Sequence, residues 1–277
     1  MKKLIPVVVF HLLFLVGTDA QIHLITYNIR LNTPADGADS WPNRKEKVAA
    51  LLKFHGANIF CIQEALPEQV RFLEGCFPDF RYEGVGRDDG REAGEYSAIF
   101  FDTLQFTRKD GGTFWLSETP DQCSYGWDAA CRRVCTWVSL EDPVSGRSLY
   151  VFNTHFDHIG VRAREASVRL ILERIIAIAG RERVLLCGDF NLPPQSAPIA
   201  EIGKYLSDAY RVSQLPPYGP EATYQGFACD SEPGARIDYV FVSEGIEVLR
   251  YGSLTDSEAG RFHSDHLPVL VTLSMDE

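Results

Sequence analysis

Eight short runs of β-branched, aromatic and other apolar residues recur along this chain, and six of them carry a carboxylate, amide or imidazole side chain at or near one end. The runs are Ile22–Arg30, Ile59–Glu64, Tyr96–Phe101, Val134–Leu140, Leu149–Phe156, Val184–Leu186, Ile237–Val242 and Leu267–Leu273. Short apolar runs bounded by turn residues read as buried strands. Helical periodicity appears in three places. Arg44–Phe54 places Val48, Leu51 and Leu52 on one face and stops at Gly56; a second helix opens at Pro67. Val161–Ala179, closed by Gly180, presents Val168, Ile171, Leu172, Ile175, Ile176 and Ile178. Between Gly111 and Cys131 the pattern predicts a long irregular segment. Irregular alternation of strands and helices, without an internal repeat, gives an α/β or α+β protein and no topology.

The chain has 277 residues, 45% of them hydrophobic and 23% charged, which suits one large domain rather than disorder. Its first twenty residues differ from the rest. Lys2 and Lys3 precede the apolar run Leu4–Val16 and the small-residue stretch Gly17-Thr18-Asp19-Ala20. This is the pattern of a secretory signal peptide cut after Ala20. Residues 21–277 are then expected to form one monomeric domain, released to a periplasm or outside the cell. No later stretch approaches the ~18 apolar residues of a membrane span. Of seven cysteines, Cys61 and Cys187 lie inside apolar runs and read as buried thiols. Cys123, Cys131 and Cys135 cluster closely enough for two to pair after export, with Cys76 and Cys229 as further partners.

The polar residues at the run ends are Asn28, Glu64, His155, the pair Asp189 and Asn191, Asp238, and the pair Asp265 and His266. Any one of them is ordinary turn or strand-end chemistry. Together they make the kit that phosphoester hydrolysis needs. A hard dication such as Mg²⁺, with Mn²⁺ as a substitute, takes oxygen ligands, and Glu64, Asn28 and Asp265 offer them. His266 or Asp189 can take a proton from water. Asn191 and His155 can donate to the charged transition state, and Asp238 can orient His266.

The stretches that contain these residues stand in a telling order: Tyr27-Asn28-Ile29, Ile62-Gln63-Glu64, Asn153-Thr154-His155, Gly188-Asp189-Phe190-Asn191, Arg236-Ile237-Asp238-Tyr239 and Ser264-Asp265-His266-Leu267-Pro268. In that order they resemble the endonuclease/exonuclease/phosphatase superfamily, which includes deoxyribonuclease, AP endonucleases, neutral sphingomyelinases and inositol polyphosphate 5-phosphatases. The resemblance runs from Ile22 to Ser274 and is nearest to exported bacterial members of unassigned substrate. It implies a four-layer α/β/β/α sandwich of two packed mixed sheets flanked by helices. It also implies Glu64 as the main metal ligand, assisted by Asn28 and Asp265, with Asp189 and Asn191 at water and phosphate and Asp238 paired to His266. Either Asp189 or His266 serves as base in this family. His155 stands where the AP-endonuclease branch has Tyr, which argues against AP-site repair. His158 falls where some relatives carry a phosphate contact.

Lesser candidates are Trp41 and Arg44 as substrate contacts, Trp115 and Trp127 as an aromatic lip, and Arg87, Arg91, Arg132 and Arg162 as further phosphate binders. A net charge of −11 favours a small phosphoester or lipid head group over a polynucleotide, which calls for a basic face. A secreted nuclease using the same residues is the alternative. A catalytically inactive binding module is disfavoured, because Glu64, Asp189 and His266 are all present.

Overall fold

The computed structural model describes residues 21–230 and 234–275. The expected signal peptide lies outside them. Fourteen strands and five α-helices follow in chain order: β1 (Ile22–Asn28), α1 (Trp41–Phe54), β2 (Ile59–Ala65), α2 (Pro67–Cys76), β3 (Phe80–Glu83), β4 (Tyr96–Asp102), β5 (Thr107–Trp115), β6 (Val134–Glu141), β7 (Ser148–His155), α3 (Val161–Ala179), β8 (Arg183–Asp189), α4 (Ala197–Ile202), β9 (Ser207–Asp208), α5 (Ala209–Val212), β10 (Asp238–Val242), β11 (Ile246–Ser253), the hairpin β12 (Ser257–Glu258) and β13 (Arg261–Phe262), and β14 (Val269–Met275). One six-stranded sheet runs β11-β14-β1-β2-β4-β3 and a second β5-β6-β7-β8-β10-β9, each mixing parallel and antiparallel pairs.

Strand alternation sorts the apolar residues into three cores. Leu24, Ile59, Val151, Leu185, Val240 and Val271 fill the seam between the sheets. Ile25, Phe60 and Phe100 turn the other way, onto Val48 and Leu52 of α1 and Leu73 of α2. Phe152, Leu186 and Phe241 meet Val168, Ile171 and Ile175 of α3 and Ile199 of α4. The result is the helix–sheet–sheet–helix sandwich, with side chains packed between layers as stacked sheets require. On α3, Ile176 is 61% exposed, so the apolar face is narrower than its sequence suggests.

The same two-residue period carries polar groups into the seam. Asn28 has the parity of Leu24, His155 that of Val151, Asp189 that of Leu185 and Cys187, and Asp238 that of Val240. They therefore end up at one rim, where the apolar seam runs out. Two side chains tie the sheets together just behind that rim. Gln63 donates to Asn153 Oδ1 (2.7 Å), and Asn153 donates to the Ile62 and Ala98 carbonyls (3.0 and 2.9 Å). In the dry seam these bonds hold the two halves in register. Gly188 lets β8 pass close to β7, since a Cβ there would sit 1.9 Å from the Thr154 carbonyl oxygen.

All seven cysteines are free thiols, which corrects the expected pairing. Cys135 lies inside β6 and is buried against Phe114 and Phe152, while Cys123 is exposed and donates to the Asp88 carbonyl. The segment expected to be irregular from Gly111 instead continues β5 as far as Trp115.

Candidate active site

Three residues share one row across the second sheet: His155 pairs in register with Asp189, and Asp189 with Asp238. His266, just before β14, reaches across from the first sheet. Its Nδ1 lies 2.8 Å from Asp238 Oδ2, and its Nε2 3.7 Å from Asp189 Oδ2. Asn28, ending β1, closes the ring by donating to Glu64 Oε1 (2.9 Å) and Asp189 Oδ2 (3.0 Å), with His266 Nε2 3.4 Å away. Residues spread over more than two hundred positions of chain thus meet within a few ångströms.

Backbone geometry serves the same convergence. A bulge between Ile62 and Ala65 inserts one extra residue against β4, and Glu64 sits there at φ 62°. Strict alternation would have sent its carboxylate toward the helices, and the bulge re-aims it to the rim. Arg30 (φ 56°) and Asn191 (φ 49°) also hold left-handed backbone beside the site. Such strain in non-glycine residues tends to gather at functional centres.

The titrating groups divide by environment. Burial, reinforced by the charge of Asp238, pushes the Asp189 carboxyl up to about 7. Burial alone would discharge His266, yet the facing carboxylates of Asp238 and Asp189 outweigh it and hold the ring protonated well above its ordinary range. His155 goes the other way: burial, then the charges of Arg133 and Arg87, keep it neutral. Burial would raise the Glu64 carboxyl, but the Asn28 amide, the His266 charge and the Leu31 N–H together bring it below the usual range. Asp265 is raised by burial and by the nearby charge of Glu64.

These hydrogen bonds change several expected roles. Asn28, expected to offer oxygen to a metal, accepts the Arg30 N–H on Oδ1 (3.0 Å), which leaves one lone pair, and its amide bridges two carboxylates. Asn191 spends its amide hydrogens on His155 Nε2 (3.1 Å) and the Phe156 carbonyl (3.0 Å). His155 Nε2 is then an acceptor and its hydrogen sits on Nδ1, which has no hydrogen-bond partner among the described residues and lies 4.0 Å from Glu95 Oε2; the Asn191 amide has no hydrogen left for a phosphate. Arg44 does not face the rim at all. It is buried, donates to the carbonyls of Ile29, Arg30, Asp39 and His263, and stacks on Trp41 and Phe227. It clamps the β1–α1 connection, and Trp41 packs edge-on against Phe72. Trp115 is buried with its indole N–H on the Arg87 carbonyl, so it forms no lip.

An open cavity of about 450 Å³ lies over the row, lined among others by Glu64, His155, His158, Asp189, Asn191, Asp265 and His266. Arg30, Glu95, Arg133 and Tyr224 also line it and were not singled out from sequence. Tyr224 meets the His266 ring edge-on at 5.1 Å, and Arg87 forks onto Glu95 at 2.6 Å. Isolated arginines and glutamates are too common in sequence to stand out; only their placement marks them.

Two groups of donors in the rim bear on cation binding. Asp189, Asp238 and His266 offer ligand atoms within 4.8 Å of one another. In that trio His266 Nδ1 is already committed to Asp238 at 2.8 Å. Glu64 and Asp265 suit a cation better. Both are largely sheltered, with side chains 13% exposed, the charge of Glu64 bears on Asp265, and Arg30 stands off at 3.8 and 3.9 Å while forking onto Asp36. Hard oxygens lacking a close counter-charge fit a hard dication.

Two packed mixed sheets with such a rim define the deoxyribonuclease I-like fold class. The model of the Endonuclease/Exonuclease/phosphatase family matches residues 25–266, and the chain belongs to that family. It is similar to a family member of solved structure from Bacteroides thetaiotaomicron: 36% identity, TM-score 0.90, covering 93% of this chain and 99% of that one. It is also similar to a mannosyl-6-phosphatase of the same organism, at 36% identity and TM-score 0.88, covering 92% of this chain and all of that one. An uncharacterized protein of Acanthamoeba polyphaga mimivirus is 25% identical over 160 residues, 54% of this chain and 59% of that protein. Members of this family are hydrolytic enzymes.

Proposed function

We propose that the chain is a Mg²⁺-dependent phosphomonoesterase, with Mn²⁺ as a substitute ion, acting on a small phosphate ester such as a sugar phosphate. The observation that carries this reading is Asp189, a carboxylate pushed up to about 7, set between neutral His155 and protonated His266 on the wall of a small cavity. Glu64 and Asp265 would hold the ion, with Asn28 keeping Glu64 and Asp189 aligned. A bound dication supplies charge neutralisation at the phosphate oxygens and at the leaving oxygen.

Asp189 is the base in this scheme, because His266 already carries its proton. Asp189 takes a proton from the attacking water, the new oxygen–phosphorus bond forms, the bond to the leaving oxygen breaks, and that oxygen leaves as the alcohol by taking a proton from solvent, to which Asp189 returns its own. His266, oriented by Asp238, stabilises the charge that develops. Asn191 fixes His155 as the neutral wall of the cavity. The mannosyl-6-phosphatase relative supports a sugar monoester. A cavity of about 450 Å³ suits a small molecule, and the charge of −11 disfavours a polynucleotide. Export to a periplasm or the medium belongs to this proposal and rests on residues 1–20.

The test is phosphate release from mannose 6-phosphate and other hexose phosphates, beside bis-p-nitrophenyl phosphate, sphingomyelin and DNA, each with Mg²⁺ and with EDTA. The expected outcome is fastest turnover of a hexose monoester, abolished by EDTA. DNA as the fastest substrate, with steep inhibition by salt, would establish the nuclease alternative. No metal-dependent turnover of any ester would point to a binding module.

A further inference from the structure

Arg133 immediately precedes β6 and lines the cavity on the His155 side, yet only 5% of it is exposed. Its Nη2 donates to His158 Nδ1 at 3.1 Å, while Nε and Nη1 have no hydrogen-bond partner among the described residues. The nearest carboxylate does not satisfy it. Asp157 stands 3.6 Å from Nε, but its oxygens already accept four backbone N–H groups, from Ala130, Cys131, Ile159 and Gly160. A buried guanidinium with two orphaned nitrogens is costly unless something else completes it. Neighbouring Arg87 differs, since Glu95 holds both its terminal nitrogens.

His158 extends the same feature. Because Arg133 donates to its Nδ1, a neutral His158 carries its hydrogen on Nε2, and this exposed residue also lines the cavity. Of the side chains expected to donate to phosphate, Asn191 is committed to His155 Nε2 and the Phe156 carbonyl, and the remaining His155 hydrogen, on Nδ1, is 4.0 Å from Glu95 Oε2. Of the other cations on the wall, Arg30 is paired with Asp36, Arg87 with Glu95, and His266 stands between Asp238 and Asp189, while Glu64, Asp189 and Asp265 are acidic. An incoming anion therefore finds unpaired positive charge at Arg133 and a ring N–H beside it on His158.

We propose that Arg133, seated against His158, receives the non-bridging oxygens of a terminal phosphate and gives the cavity a preference for monoesters over diesters. This rests on the phosphomonoesterase reading and specifies its selectivity. A terminal phosphate carries close to two negative charges at neutral pH and offers three oxygens. A diester carries one charge and replaces an oxygen with a second substituent, which leaves a buried guanidinium incompletely paired.

The test is calorimetric titration of inorganic phosphate and of dimethyl phosphate into the full chain at pH 8 with saturating Mg²⁺, so that no turnover is required. Wild type should bind phosphate more tightly than dimethyl phosphate. Arg133→Gln should weaken phosphate by ~30-fold, the scale of lost charge-assisted bonds, and dimethyl phosphate by less than ~3-fold. His158→Ala, at an exposed position, should weaken phosphate by ~5-fold; it also serves if the buried substitution fails to fold, as does Arg133→Lys, which keeps the charge but loses the fork. Equal losses for both ligands, undiminished phosphate binding in folded Arg133 variants or in His158→Ala, or no phosphate binding by wild type would each overturn the assignment. Phosphate bound through Arg133 by a protein that hydrolyses no ester would sink the enzyme reading alone.

Discussion

Asp189 and His266 share one region of buried charge and are both drawn toward protonation, Asp189 only to about 7 and His266 well above its ordinary range. The difference comes from neighbours: Asp238 adds to the burial that lifts Asp189, while two carboxylates overcome the burial of His266. With Asp189 as the proposed base, which must be ionised to accept a proton, kcat/KM for p-nitrophenyl phosphate should rise with pH through a limb near 7. A bound dication, attracting the same carboxylate, should draw that limb to lower pH as Mg²⁺ is raised. Asp238→Asn removes the charge that lifts Asp189, so its limb should also move to lower pH, with reduced kcat. A limb that rose in pH with that substitution would mean that another group titrates. At this scale the sequence was a mixed guide. Glu64, Asp189, Asp238, Asp265 and His266 all reach the rim, but Asn28, Asn191 and Arg44 form hydrogen bonds that no spacing in the sequence reveals.

Among the elements, the eight strands legible as apolar runs are the eight interior strands of the two sheets. Within those sheets the four that escaped, β3, β5, β9 and β11, are the edges; the β12–β13 hairpin, with two residues per strand, escaped as well. The reason is physical. An interior strand is covered on both faces and both sides, whereas an edge strand such as β5 opens with exposed Thr107, Arg108, Lys109 and Asp110. Polar residues on an edge discourage pairing with other chains and erase the apolar signal. Loop anchors were equally hidden. Asp157 looked like one more polar residue after β7, yet it holds four backbone N–H groups of two loops beside the cavity. Burial would raise its carboxyl, but those donors win and hold it at about 2. A depressed folded pKa gives stability that is present above the unfolded value of about 3.9 and lost as pH falls toward about 2. Asp157→Asn should therefore cost about 2 kcal/mol in denaturant unfolding at pH 7, and the gap from wild type should narrow at pH 3. A gap that is the same at both pH values would show that the charge of Asp157 contributes nothing.

For the molecule as a whole, function follows from where the apolar seam stops. Two sheets bury a dry core between them, Gln63 and Asn153 pin them together near its end, and the next positions of matching parity are the polar rim. Neither sheet supplies a complete site. The first brings Asn28, Glu64, Asp265 and His266, and the second His155, Asp189 and Asp238. The family resemblance predicted this two-sheet arrangement, whereas apolar periodicity alone stopped at the mixture of strands and helices, because strand order depends on pairings distant in sequence. The central claim is that this joined rim hydrolyses a phosphate monoester with Asp189 as base and a dication as partner. Phosphate release from mannose 6-phosphate by wild type and Asp189→Asn, at saturating Mg²⁺ with bound ion counted in both, tests it most directly. The account predicts Mg²⁺-dependent turnover in wild type and a loss of ~10² or more in kcat for the variant, with its ion still bound. Turnover within a few-fold of wild type in Asp189→Asn, or activity undiminished by EDTA, would contradict it.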